Sequence, residues 1–150
     1  MQKVKLAKSN LKKKRKTWNK SVIRYNLKSM LKIIDGLPAN VLGVTAEGKI
    51  TGEDYSTVLI PAIEAKLTTN KKINMLYHLG NTFDGFSLGA MLDDSEIGIK
   101  HLAAWEKIAI VSDHEMINAM VRFFGHLIPC ELRIFKNAEL EEAKKWIIEK

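Results

Sequence analysis

Four histidines, one cysteine and a serine behind a glycine-bounded turn are the residues here whose types could carry chemistry. His78, His101, His114 and His126 are scattered, and with Cys130 they match no zinc spacing such as CxxC or HExxH, so no metal is expected. No histidine has sequence partners that define a nucleophilic triad. Asp113-His114 is the nearest approach to an acid–base pair, and it reads better as the start of a helix. Gly43-Val-Thr-Ala-Glu-Gly48-Lys49-Ile50 spells the G-x-x-x-x-G-K of a phosphate-binding loop. However, Ile50 stands where the magnesium-holding Ser/Thr belongs, and Val44-Thr45-Ala46 continue a strand where the motif needs a loop. The chain therefore reads as non-enzymatic, with no catalytic residue and no cofactor. Ser87 follows the turn Gly80-Asn-Thr-Phe-Asp-Gly85, where a strand gives way to a helix. A hydroxyl there caps the helix, and a phosphate there would meet free amide groups, so Ser87 is a capping residue and also a regulatory candidate.

Apolar recognition has a stronger claim. Met116, Ile117, Ala119, Met120, Val121, Phe123 and Phe124 crowd the helix His114 to Phe124, leaving Glu115, Asn118 and Arg122 as a narrow polar stripe. Ile117, Met120, Val121 and Phe124 keep core spacing. Met116 and Phe123 are then left to cover a neighbouring helix, a partner, an apolar ligand or a membrane. Met91, Leu92, Met116, Met120, Phe123 and Phe124 can approach one groove between this helix and helix 87–102. Methionine and phenylalanine suit a site that accepts varied apolar shapes.

The element that must position these residues is Ile73 to Asp113, which reads as one strand–helix–strand unit. Ile73–Leu79 and Ile108–Val111 are short apolar runs, and the segment between them is long enough for a right-handed parallel crossover. In open α/β sheets, ligands and partners sit at the edge where Gly80 to Ser87 falls. Upstream, Leu31-Lys-Ile-Ile and Val41-Leu-Gly-Val are strand candidates joined by a turn-rich spacer, an antiparallel hairpin. Thr51-Gly-Glu-Asp54 is close to a capping box and opens a helix with Tyr55, Val58, Leu59, Ala62, Ile63 and Leu67 on one face. Pro61 should kink or tighten that helix near Thr57. Asp113 is expected to cap the helix from His114, a last strand runs from Glu131 to Phe135, and Asn137 caps a final helix. Leu140, Ala143, Ile147 and Trp146 face inward on that helix, with acids early and lysines late, as its dipole favours.

One hundred and fifty residues suit one domain with its own core. Residues 1–29 hold eleven of the 24 Lys and Arg and none of the 17 Asp and Glu. They read as a flexible basic arm on an acidic domain of residues 30–150, with Met30 an alternative start. Any polyanion contact is assigned to residues 1–29. A single cysteine fits a reducing compartment, and no apolar run is long enough to span a membrane, so the expected address is cytoplasmic, with a peripheral membrane contact compatible.

The order β-β-α-β-α-β-α-β-α implies an α/β fold with a five-stranded, mostly parallel mixed sheet and four main helices. Its phrases Gly36-Leu-Pro-Ala-Asn-Val-Leu-Gly-Val44, Gly48-Lys-Ile-Thr-Gly-Glu-Asp-Tyr55, Leu59-Ile-Pro61, Phe83-Asp-Gly-Phe-Ser87, Trp105-Glu-Lys-Ile-Ala-Ile-Val-Ser-Asp-His114 and Ala138-Glu-Leu-Glu-Glu-Ala143 resemble the bacterial SpoIIAA-like family of small STAS-type proteins, over about residues 31–149. The resemblance implies a non-enzymatic module. By analogy with CRAL-TRIO lipid carriers, it implies binding of an apolar, lipid-like molecule or association with a membrane surface through the helix 87–102 and helix 114–124 face. The alternative it implies is a STAS-type protein–protein regulatory module that docks a partner around Ser87. In the anti-sigma-factor antagonists that name the fold, a serine at the matching place is phosphorylated within a run like Asp-Ser-Ser-Gly. This chain has Asp84-Gly-Phe-Ser-Leu-Gly89 there, which favours capping.

Overall fold

The computed structural model describes residues 29–90 and 100–150. Five strands form one sheet in the order β1-β2-β3-β4-β5: Leu31–Ile33, Val41–Ala46, Ile73–Leu79, Trp105–Val111 and Glu131–Phe135. β1 pairs antiparallel with β2 and every other pairing is parallel. The expected α/β architecture, a five-stranded mixed sheet with four helices, is the one found. β2 and β3 are buried almost throughout, as strands covered on both faces are.

Each parallel crossover advances one strand in the same direction, so right-handed connections place the crossover helices on one face. The first crossover opens with a capping box. The Thr51 Oγ1 accepts from Asp54 N at 3.3 Å, and the Asp54 Oδ2 accepts from Thr51 N at 2.8 Å. A single α turn, Gly52–Asp54, widens into a π turn, Tyr55–Leu59, before α1 (Ile60–Leu67) begins. The expected effect of Pro61 was a kink or tightening near Thr57. The helix widens instead, which lets it pass a proline that has no N–H to give. Tyr55, Leu59 and Ile63 are buried against Leu42, Val44, Met75, Tyr77 and Ile108, with the Tyr55 and Tyr77 hydroxyls 3.2 Å apart. Residues 88–90 and 100 are helical and bound the undescribed 91–99.

After β4 comes α2 (Glu115–Gly125), and after β5 a 3-10 turn, Asn137–Glu139, leads into α3 (Leu140–Ile148). α3 closes the opposite face, burying Ala143 and Ile147 against Val41, Leu76, Ala109, Val111 and Phe135, with Leu140 and Trp146 packed alongside as expected. Its end is tied down by Asn74, whose Nδ2 donates to Ile147 O at 2.8 Å while its Oδ1 accepts from Lys107 N at 3.1 Å.

The carboxyl ends of β2 to β5 form one rim, and β1 starts there because Leu31 is opposite Ala46. The buried Asp54 pins the first described residues to that rim: its Oδ1 accepts from Ser29 Oγ at 2.9 Å and from Met30 N at 3.0 Å.

Candidate binding face

α2 is anchored by its polar residues. The Ser112 Oγ accepts from His114 N at 3.0 Å, and Asn118, buried, donates from Nδ2 to the Ser112 carbonyl at 2.8 Å. The His114 ring meets Phe83 edge to face at 5.1 Å, and Gly125 lies against Leu132. Four expectations are not met. Asn118, assigned to the polar stripe, faces inward. Met120 and Phe124, assigned to the core stripe with Ile117 and Val121, face outward, while Ile117 and Val121 remain half-buried. Asp113 does not cap α2; its Oδ1 accepts from Asn137 N at 3.0 Å and joins the end of β4 to the turn before α3. Asn137 in turn does not cap the last helix: it opens the 3-10 turn, which Lys136 precedes with its N–H donated to Glu139 Oε2 at 2.7 Å, and Glu139 is the residue before α3.

The physical result is a helix with its apolar arc outside. Met116 is 79% exposed, Met120 44%, Phe123 74% and Phe124 52%, and Leu127 just beyond the helix is 73% exposed. At 100° per residue the four within the helix fall in an arc of roughly 100°, the width of a core-facing stripe. Phe123 and Phe124 pack edge to face at 5.1 Å, so the stripe carries its own aromatic contact. Of the six residues expected to line a groove, Met116, Met120, Phe123 and Phe124 therefore share one surface, while Met91 and Leu92 lie outside the described residues. Leu127 was missed, and Leu88, which helical spacing puts on the inward face of helix 87–102 with Met91, Leu92 and Leu102, is exposed instead. Continuing the period of three and four past Phe123 would have found Leu127. Leu88 had no signal of exposure, since an apolar residue in the first turn of a helix reads as core.

Ser87 is half-buried. Its N–H donates to Ile50 O at 2.8 Å and its Oγ accepts from Ala90 N at 3.2 Å, the capping role expected of it. Gly85, at φ +97°, makes the turn that brings Ser87 there, a conformation open to glycine. The buried Ile50 bridges Phe86, and Val44-Thr45-Ala46 lie in β2, so the G-x-x-x-x-G-K phrase is spent on strand and sheet.

The remaining titratable residues sit elsewhere. Lys100 and His101 both reach Glu64 Oε1, at 3.3 and 3.2 Å; Lys100 chiefly, and His101 less, hold its carboxyl below the usual range. His101 is thus apart from the Asp113-His114 pair, and His114 is occupied by Phe83. Burial pushes the Cys130 thiol up, keeping it protonated and weakly nucleophilic. On the α3 side of the rim, His78 Nδ1 lies 3.3 Å from Thr45 Oγ1. Burial and the Lys144 ammonium hold its pKa below the ordinary value, against the pull of Glu47, Asn137 and Asp113. Among the described residues, no group of three or more His, Cys, Asp and Glu is placed to hold a metal, and no helix is long and apolar enough to cross a membrane.

A mixed five-stranded sheet with crossover helices on one face and a closing helix on the other defines a STAS-type module. The family model described as SpoIIAA-like matches residues 41–148, and the chain belongs to that family. A crystal structure of an uncharacterized protein from the DUF3478 family, with a SpoIIAA-like fold, from Shewanella loihica PV-4, is similar at 27% identity and a TM-score of 0.65. The similarity covers 78% of this chain and 93% of that one. No curated protein matches the chain. The family is generally non-enzymatic, and its fold serves regulatory and binding modules that typically engage protein partners.

Proposed function

We propose that this protein is a non-enzymatic binding module whose α2 stripe docks onto a membrane surface. The carrying observation is the outward set Met116, Met120, Phe123 and Phe124 on one helix arc, with Leu127 exposed just beyond it. A helix held to its domain by Asn118 and Gly125 while its apolar arc faces water has the layout of an interfacial helix lying in the plane of a bilayer. The side chains project outward, which suits insertion among acyl chains better than enclosure of a lipid-like molecule between two walls.

Phe123→Ser separates the readings. As an exposed residue it should leave thermal stability nearly unchanged, far from the roughly 3–5 kcal/mol lost on truncating a buried phenylalanine. Sedimentation of the full chain with liposomes should fall sharply in the variant. A wild-type chain that stays in the supernatant with every lipid composition would sink the membrane reading. Retention of a partner that Ser87→Asp releases would put protein docking around Ser87 in its place.

A further inference from the structure

We infer that in water the α2 stripe is covered by a second copy of this chain, the two helices packing antiparallel about a two-fold axis beside Met120. The inference goes beyond the membrane reading and does not depend on it. Spacing is the first argument. Met116 lies four residues before Met120 and Phe123 three residues after it, on one exposed arc of α2. At 100° per residue Met116 and Phe123 lie on the same side of Met120, only about 20° apart around the helix. A two-fold axis perpendicular to both helices reverses the second α2, so Met116 of each copy comes against Phe123 of the other. The two Met120 side chains meet at the axis, and Phe124 flanks the contact from the other side. The stripe is thus its own complement, as an isologous contact requires. Each end sets a methionine sulfur against an aromatic ring, a favourable contact that adapts to shape.

Charge and area agree with this occupant. The charged residues of α2, Glu115 and Arg122, fall on the far side of the helix from Met120, so the facing arcs bring no like charges together and bury none. Taking about 200 Å² for a whole large side chain, the exposures of Met116, Met120, Phe123, Phe124 and Leu127 leave roughly 600 Å² of apolar surface in water. A stable pair covers about 800 Å² on each partner, so the stripe supplies most of such a contact before any polar rim is added. Asn118 fixes the rotation of α2 through the Ser112 carbonyl, so the face is presented ready-made and little ordering is needed to pair it. A bilayer and a second copy would compete for the same arc, and protein concentration sets the balance.

The test is sedimentation velocity of the full chain over a concentration series. Wild type should pass from monomer to dimer with a dissociation constant on the order of micromolar, as suits a small interface, and its melting temperature should rise with concentration. Met120→Glu sets two carboxylates at the axis and should weaken pairing at least about a hundredfold. Its melting curve, taken dilute, should match that of dilute wild type, which separates lost pairing from lost folding. Met116→Lys and Phe123→Glu should each weaken pairing alone. Combined in one chain they face each other across the axis as opposite charges and should restore pairing, a rescue that a merely sticky patch does not give. A wild type that stays monomeric throughout, a dimer indifferent to Met120→Glu, an absence of rescue, or open-ended growth in place of a dimer would each overturn the inference. A dimer that never sediments with liposomes would sink the membrane reading and leave the inference standing, whereas a strict monomer that does sediment with them would do the reverse.

Discussion

His78 occupies a half-buried place between Thr45, Asn137 and Lys144, and that setting gives the protein a pH dependence. Burial, and then Lys144, disfavour the imidazolium in the folded state, so the unfolded chain takes up this proton first as pH falls. Stability should be unaffected by His78 above the ordinary histidine pKa of about 6.5 and should decline as pH drops through it towards the lower folded value. Melting curves taken between neutral and mildly acidic pH should show this decline in wild type, and a smaller one in His78→Gln. Parallel curves for the two proteins would mean that another group carries the dependence. Asp54 acts in a lower window. Against the cost of burial, hydrogen bonds from Thr51, Ser29 and Met30 hold its carboxyl below the usual range. Its contribution is present at neutral pH and is lost only as pH falls through the carboxylate range.

At the level of the element, α2 shows what a helical period can and cannot reveal. The amide of Asn118 reaching the Ser112 carbonyl sets which arc faces in, so the rotation of the helix hangs on a polar contact. Asn118→Ala should cost about 1–3 kcal/mol, because it leaves the buried Ser112 carbonyl without that donor. Denaturant midpoints would register it, and an unchanged midpoint would show that packing of Ile117 and Val121 alone orients the helix. The apolar residues of α2 were legible as a surplus, and which of them faced water was not: apolar side chains on two arcs admit two rotations, and the deciding asparagine reads as surface. By contrast, Tyr55, Leu59 and Ile63 were legible as a core face, since one apolar arc admits one rotation. The capping box at Thr51 was equally plain from four letters. The widening before Pro61 was not, because a missing N–H can be met by a kink or by a longer hydrogen-bonded ring, and neighbours choose between them. Asp113 and Asn137 were each assigned to the nearest helix start, whereas the contact formed is with each other, across 24 positions.

For the molecule as a whole, alternating strands and helices made the fold readable, as did the two-sided burial of β2 and β3 that their continuous apolar runs announce. Where a sheet stops is a separate matter. Among the described residues β5 is its last strand, with only β4 beside it, so the outer row of its backbone groups is a template on which another chain could assemble. Two features discourage that. The strand is five residues long, and Glu131 and Arg133 stand exposed on it, Arg133 also lying 5.0 Å over the Phe135 ring. With Glu131→Val and Arg133→Val together, the run becomes Val-Leu-Val-Ile-Phe, an uncharged β-forming segment at an open border. Light scattering against concentration should then show self-association well beyond that of wild type, and identical profiles would place the guard elsewhere. On the proposed membrane reading, solubility and attachment would be governed from different parts of one surface: if the two charges on β5 are what guards its border, substitutions that make α2 stickier for lipid need not make the chain prone to polymerise.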